Sequence, residues 1–139
     1  IKSSSNKLCE LIKTMQNKHP KAQIKLVGFS QGGAIALYTA LTNPELCSDV
    51  LGLSTYLPLA QKLIMQSLMR NAQTQDKTNN QQKPNISLMH GTNDATISIK
   101  FAELTQVALQ QLGFKAPLTT YQMGHEICPE QIPDIKDWL

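Results

Sequence analysis

The sequence predicts an α/β fold, a mostly parallel sheet with helices on both faces. Short apolar, β-branched runs alternate with stretches whose apolar residues recur at helical spacing, and no segment repeats another. A second observation is local: Gly28-Phe29-Ser30-Gln31-Gly32 falls where one such run gives way to one such helix. A serine flanked by glycines at that junction marks a sharp strand-to-helix turn with the hydroxyl at its tip.

The elements follow in order. Ser3 to Ser5 offer N-caps, and Leu8, Leu11, Ile12 and Met15 form one apolar helix face ended by Lys18, His19 and Pro20. Ile24 to Phe29 reads as a buried strand that stops at Ser30. From Gln31, the positions Ala34, Ile35, Tyr38 and Leu41 take up helical spacing until Asn43-Pro44. Val50 to Ser54 is a second strand, and Tyr56-Leu57-Pro58-Leu59 begins a loop or short helix through Met69. Residues 71–83 carry seven Asn or Gln among thirteen, too few apolar side chains to dock, and are expected to form a mobile surface loop. Ile86 to Met89 is a third strand, Ile99 to Leu112 an amphipathic helix capped by Gly113, and Leu118 to Met123 a fourth strand. A last helix runs from near Pro129 to Leu139.

A length of 139 residues gives one domain, 1–139, and is short for an open α/β enzyme. With no apolar run near the ~18 residues of a membrane span, a transmembrane segment is not expected. The net charge of +3 comes from scattered lysines without interleaved aromatics, which argues against a nucleic-acid surface. Cys9, Cys47 and Cys128 are odd in number and lack close spacing, so neither a disulfide framework nor a metal site is indicated. Reduced thiols fit a cytoplasmic compartment, although the chain begins at Ile1 and a leader would lie upstream of it.

A serine hydroxyl becomes a useful nucleophile only beside a base that takes its proton, and the base needs an acid to orient it. Open α/β sheets build such sites at the C-terminal ends of their strands. Asp94 follows the third strand across His90-Gly91-Thr92-Asn93, and His125 follows the fourth across Gly124. The order Ser30, Asp94, His125 is that of α/β-hydrolase triads. The lesser alternative is that Asp94 serves only as an Asx-turn residue or as the partner of the next helix's N-terminus. Asp49 precedes its strand, Asp76 lies in the polar loop, Asp134 and Asp137 belong to the last helix, and Glu126 reads as a surface charge. His19 reads as a helix C-terminal cation, and His90 as a packed, hydrogen-bonded histidine.

These residues carry a resemblance. Gly28-Phe29-Ser30-Gln31-Gly32-Gly33-Ala34, Leu53-Ser54-Thr55-Tyr56-Leu57-Pro58, His90-Gly91-Thr92-Asn93-Asp94 and Tyr121-Gln122-Met123-Gly124-His125 stand in the order seen in one enzyme family. The chain resembles the phospholipase/carboxylesterase group of α/β-hydrolases, which includes acyl-protein thioesterases and lysophospholipases. That resemblance implies an α/β-hydrolase fold, with Ser30 as nucleophile, Asp94 as acid, His125 as base and the N–H of Gln31 as one oxyanion donor. It implies no cofactor. The substrate would be an acyl ester or thioester, on an acylated protein or a lysophospholipid, and a second copy of the chain is a further candidate partner. Leu57, with Leu59, Met65 and Leu68, is a candidate for an acyl channel, though such spacing also suits ordinary core packing.

Two departures accompany the resemblance. Thr55 stands where the family commonly has glycine, so a narrowed or reshaped acyl pocket is expected. The family's N-terminal strands, and the HG-type loop that gives the second oxyanion donor, would lie before Ile1. Without that donor the rate would fall on the order of 10²–10³. Ile24 to Phe29 would then be an exposed apolar sheet edge. An inactive hydrolase-like fragment, or an interaction module using that edge, is the alternative expectation.

Overall fold

A computed structural model describes residues 1–73 and 83–139. The elements are α1 (Lys2–Lys18), β1 (Lys25–Phe29), α2 (Gln31–Thr42), a 3-10 turn (Pro44–Leu46), β2 (Asp49–Leu53) and α3 (Ala60–Gln73). They continue as β3 (Asn85–Gly91), α4 (Ile99–Gln111), β4 (Leu118–Tyr121) and α5 (Gln131–Trp138). All strand pairs are parallel, in the order β1-β2-β3-β4. Every step therefore moves the same way across the sheet, and right-handed crossovers place α2, α3 and α4 on one face. The side chains agree: Val50, Ile86 and Leu88 pack with Leu37 and Ala40 of α2, Leu63 of α3 and Leu109 of α4. Because successive residues of a strand point to opposite faces, Leu51, Leu53 and Met89 meet Tyr121 and the α5 residues Ile135 and Trp138 on the other. The expected α/β-hydrolase architecture, with helices on both faces, is the one observed.

Several local expectations change. The helix α1 starts at Lys2 with no side-chain cap, so Ser3 to Ser5 lie inside its first turn. Ser5 is buried and accepts a hydrogen bond from Thr39 Oγ1 at 2.8 Å, which joins α1 to α2. The face that docks on α2 therefore includes Ser5 and Ile12, while Leu11 and Met15 turn outward at 58% and 40% exposure. Of the loop or short helix expected through Met69, the helix forms, and it runs on through residues 71–73, where Ala72 and Gln73 favour helix. Most of the polar loop expected at 71–83, namely 74–82, lies outside the described residues. Strand β3 extends through His90 to Gly91, and β4 ends at Tyr121, short of Met123.

Within the described sheet β1 is an edge strand. Val27 and Phe29 pair with Leu51 and Leu53, so they lie on the α5 face, where they remain 44% and 37% exposed. Among the described residues no helix is long and apolar enough to cross a membrane.

Candidate active site

Ser30 sits at the C-terminal end of β1 as the N-cap of α2, with φ of 52° and ψ of −120°. That left-handed backbone is uncommon for a residue with a Cβ, and strain of about 1–3 kcal/mol is met by its surroundings. The Ser30 N–H continues the β1–β2 ladder to Leu53 O at 2.9 Å, and its carbonyl accepts from the Ala34 N–H at 3.2 Å. Two glycines let strand and helix close to this distance. A Cβ on Gly28 would lie 2.5 Å from backbone atoms of Gly32 and Gly33, and one on Gly33 would lie 2.7 Å from the Gly28 carbonyl oxygen and from Thr55. Gly32, expected to share that role, has nothing within 4 Å of its would-be Cβ. The close approach belongs to Gly28 and Gly33, a pairing signalled by the doublet Gly32-Gly33.

Asp94 lies in the turn after β3, with its side chain fully inaccessible. Its Oδ1 accepts the N–H groups of Thr96 at 2.9 Å and Ile97 at 2.8 Å, so Asp94 is an Asx-turn residue. Its Oδ2 lies 2.8 Å from His125 Nδ1. Burial works to raise the carboxyl's pKa, but the Ile97 N–H, the His125 ring and the Thr96 N–H outweigh burial and hold it below the usual carboxylate range. An ionised carboxylate only accepts, so Nδ1 of His125 must carry the hydrogen. Nε2 then presents its lone pair to Ser30 Oγ, 3.0 Å away. The three residues predicted at three separate strand ends are thus brought into one hydrogen-bonded chain. Asp94 thus makes the Asx-turn contacts with one oxygen and meets His125 with the other.

Phe29 lies beside this chain, its ring 4.8 Å from that of His125 at 42°. Strand alternation carries the signal, since the residue before Ser30 must point to the α5 face. His90 is buried, and its Nε2–H donates to Ile97 O at 2.8 Å, as expected of a packed histidine. The same nitrogen is 3.5 Å from Asp94 Oδ2. Thr55, expected to reshape a pocket wall, is instead 2% exposed and donates its hydroxyl to the Ser30 carbonyl at 2.7 Å. Leu57 is 7% exposed within the core under α3 and α4, whereas Leu59, Met65 and Leu68 are open to solvent. As the first residue of α2, Gln31 has no carbonyl four residues back within the helix to receive its N–H. Asp49 lies at the N-terminal end of β2, away from the strand ends that carry Ser30 and Asp94, and accepts from Ser48 and Asn85, while Asp134 accepts from the Tyr121 hydroxyl at 2.6 Å. Asp76 lies outside the described residues.

The family model described as phospholipase/carboxylesterase matches residues 1–139. The chain belongs to the phospholipase/carboxylesterase family. Similar members include acyl-protein thioesterase 1 of Neurospora crassa, 32% identical over 121 residues that make up 86% of this chain and 46% of that protein. Acyl-protein thioesterase 1 of Mycosarcoma maydis is 34% identical over 130 residues, 88% of this chain and 49% of that protein. The phospholipase/carboxylesterase chain described here thus spans about half the length of these curated relatives. The crystal structure of Zea mays acyl-protein thioesterase 2 superposes with a TM-score of 0.77 at 23% identity, over 96% of this chain and 62% of that one, a likeness of fold.

Proposed function

We propose that the site is a serine hydrolase centre that cleaves carboxylic ester or thioester bonds of acyl substrates through an acyl-enzyme on Ser30. The observation that carries this reading is the chain Asp94–His125–Ser30, with links of 2.8 and 3.0 Å. His125 Nε2 takes the Ser30 proton as Oγ attacks the acyl carbonyl, and Asp94 holds the imidazole in the needed tautomer and stabilises its cation. The tetrahedral oxyanion is received by the Gln31 N–H. The leaving thiol or alcohol departs with the proton from His125, and water repeats the sequence to free the acid.

Family membership and the relatives' names support an acyl thioester or ester, carried by a protein or a lysophospholipid, as substrate. The three unpaired cysteines support a reducing, cytoplasmic setting. A fluorophosphonate probe applied to the chain and to Ser30→Ala, followed by p-nitrophenyl esters and acyl thioesters of graded length, tests the proposal. Labelling of the chain and its loss in the variant are expected. Labelling that survives the substitution, or none in the unsubstituted chain, overturns it.

A further inference from the structure

We infer that Thr55 is a positioning residue for the oxyanion donor, acting through the peptide unit that joins Ser30 to Gln31. The inference rests on the hydrolase reading of this site. Thr55 Oγ1 donates to the Ser30 carbonyl oxygen at 2.7 Å, across 25 residues of sequence. That carbonyl and the N–H of Gln31 belong to one planar amide, so a contact that fixes the oxygen also fixes the direction of the N–H. A hydrogen bond received at the oxygen also polarises the amide and makes its N–H a stronger donor.

The peptide needs such an anchor. Among the described residues the other hydrogen bond at that oxygen comes from the Ala34 N–H at 3.2 Å, the long end of the ordinary range. The φ of 52° at Ser30 lies in a region that side-chain-bearing residues rarely occupy. Thr55 is well placed to hold it, since it is 2% exposed and its β-branched side chain has few rotamers. Two glycines form its seat: a Cβ on Gly33 would lie 2.7 Å from Thr55 Cβ and Oγ1, and one on Gly52 would lie 2.8 Å from Thr55 Cγ2. Glycine at position 55, the residue the resemblance leads one to expect, could make no such bond. An oxyanion donor acts only when charge develops on the substrate oxygen, so Thr55 contributes to kcat and not to KM.

The test compares Thr55→Val, which keeps the shape and removes the hydroxyl, with Thr55→Ser, which keeps the hydroxyl, and with Ser30→Ala. In Thr55→Val, kcat on a p-nitrophenyl ester and the rate of fluorophosphonate labelling fall about threefold to tenfold at unchanged KM, and Thr55→Ser restores most of that loss. In ¹⁵N spectra the Gln31 amide resonance moves in the valine variant by more than those of its neighbours, and returns in the serine variant. Equal losses in the valine and serine variants overturn the inference in favour of a packing role. A Gln31 resonance indifferent to Thr55→Val overturns it whether or not the chain labels. Absence of labelling in the unsubstituted chain counts separately, against the hydrolase reading.

Discussion

Replacing Asp94 by asparagine tests the acid's role with little change of shape. The amide oxygen can still receive the Thr96 and Ile97 N–H groups that Oδ1 now accepts, so the turn after β3 is retained. The amide nitrogen replaces Oδ2 and places a donor against His125 Nδ1, which is 2.8 Å away and itself carries hydrogen. The clash is relieved by moving the imidazole proton to Nε2, where it faces Ser30 and can no longer take a proton from it. The expected loss in kcat is on the order of 10⁴. Stability falls by about 1.5–3 kcal/mol, the value of a hydrogen bond to a charged group. That loss depends on pH in a definite direction. The folded carboxyl titrates below its ordinary value, so Asp94's contribution is complete above an unfolded value of about 3.9 and is lost as pH falls through the folded one. Urea denaturation of both proteins should show a gap at pH 7 that closes on acidification. Stopped assays with a chromogenic ester at pH 7 read the catalytic arm. An asparagine variant that turns over at the parental rate, or a stability gap that stays constant into strong acid, would refute the reasoning.

Three further perturbations separate the roles of particular residues. Gly28→Ala forces its Cβ to within 2.5 Å of backbone and should cost about 3 kcal/mol or more in urea denaturation, whereas Gly32→Ala meets nothing within 4 Å and should stabilise α2 by up to about 1 kcal/mol. Burial first, and then the charges of Asp49 and Glu45, push the Cys47 thiol up to about 11. Alkylation at pH 8 followed by mass spectrometry should therefore mark the half-buried Cys9 and Cys128 in the native chain, and Cys47 only in denaturant. Val27→Lys, on the exposed face of the edge strand, should lower light scattering by self-associated chain and leave the melting temperature unchanged.

Features that one element decides alone are legible in this sequence. The strand from Ile24 to Phe29, the turn at Ser30 and the helix after Gln31 follow from local pattern, and Asp94 and His125 follow from standing just beyond strand ends in a parallel sheet. Features decided by two elements meeting are not. The spacing of Leu8, Leu11, Ile12 and Met15 describes an apolar face, but which part of α1 is buried depends on where α2 lies, and the Ser5–Thr39 bond turns Leu11 and Met15 outward. Thr55 shows the same limit within the site. Its sequence neighbours read only as the end of a strand, and a side chain in place of glycine reads as bulk added to a pocket. Parallel pairing of β1 with β2 sets Phe29 beside Leu53, so the residues just past each strand end lie side by side and the Thr55 hydroxyl reaches the Ser30 carbonyl. The strain at Ser30 and the bond that opposes it therefore arise from the same register: the strand whose end exposes the hydroxyl is held by the neighbour whose end anchors the peptide behind it.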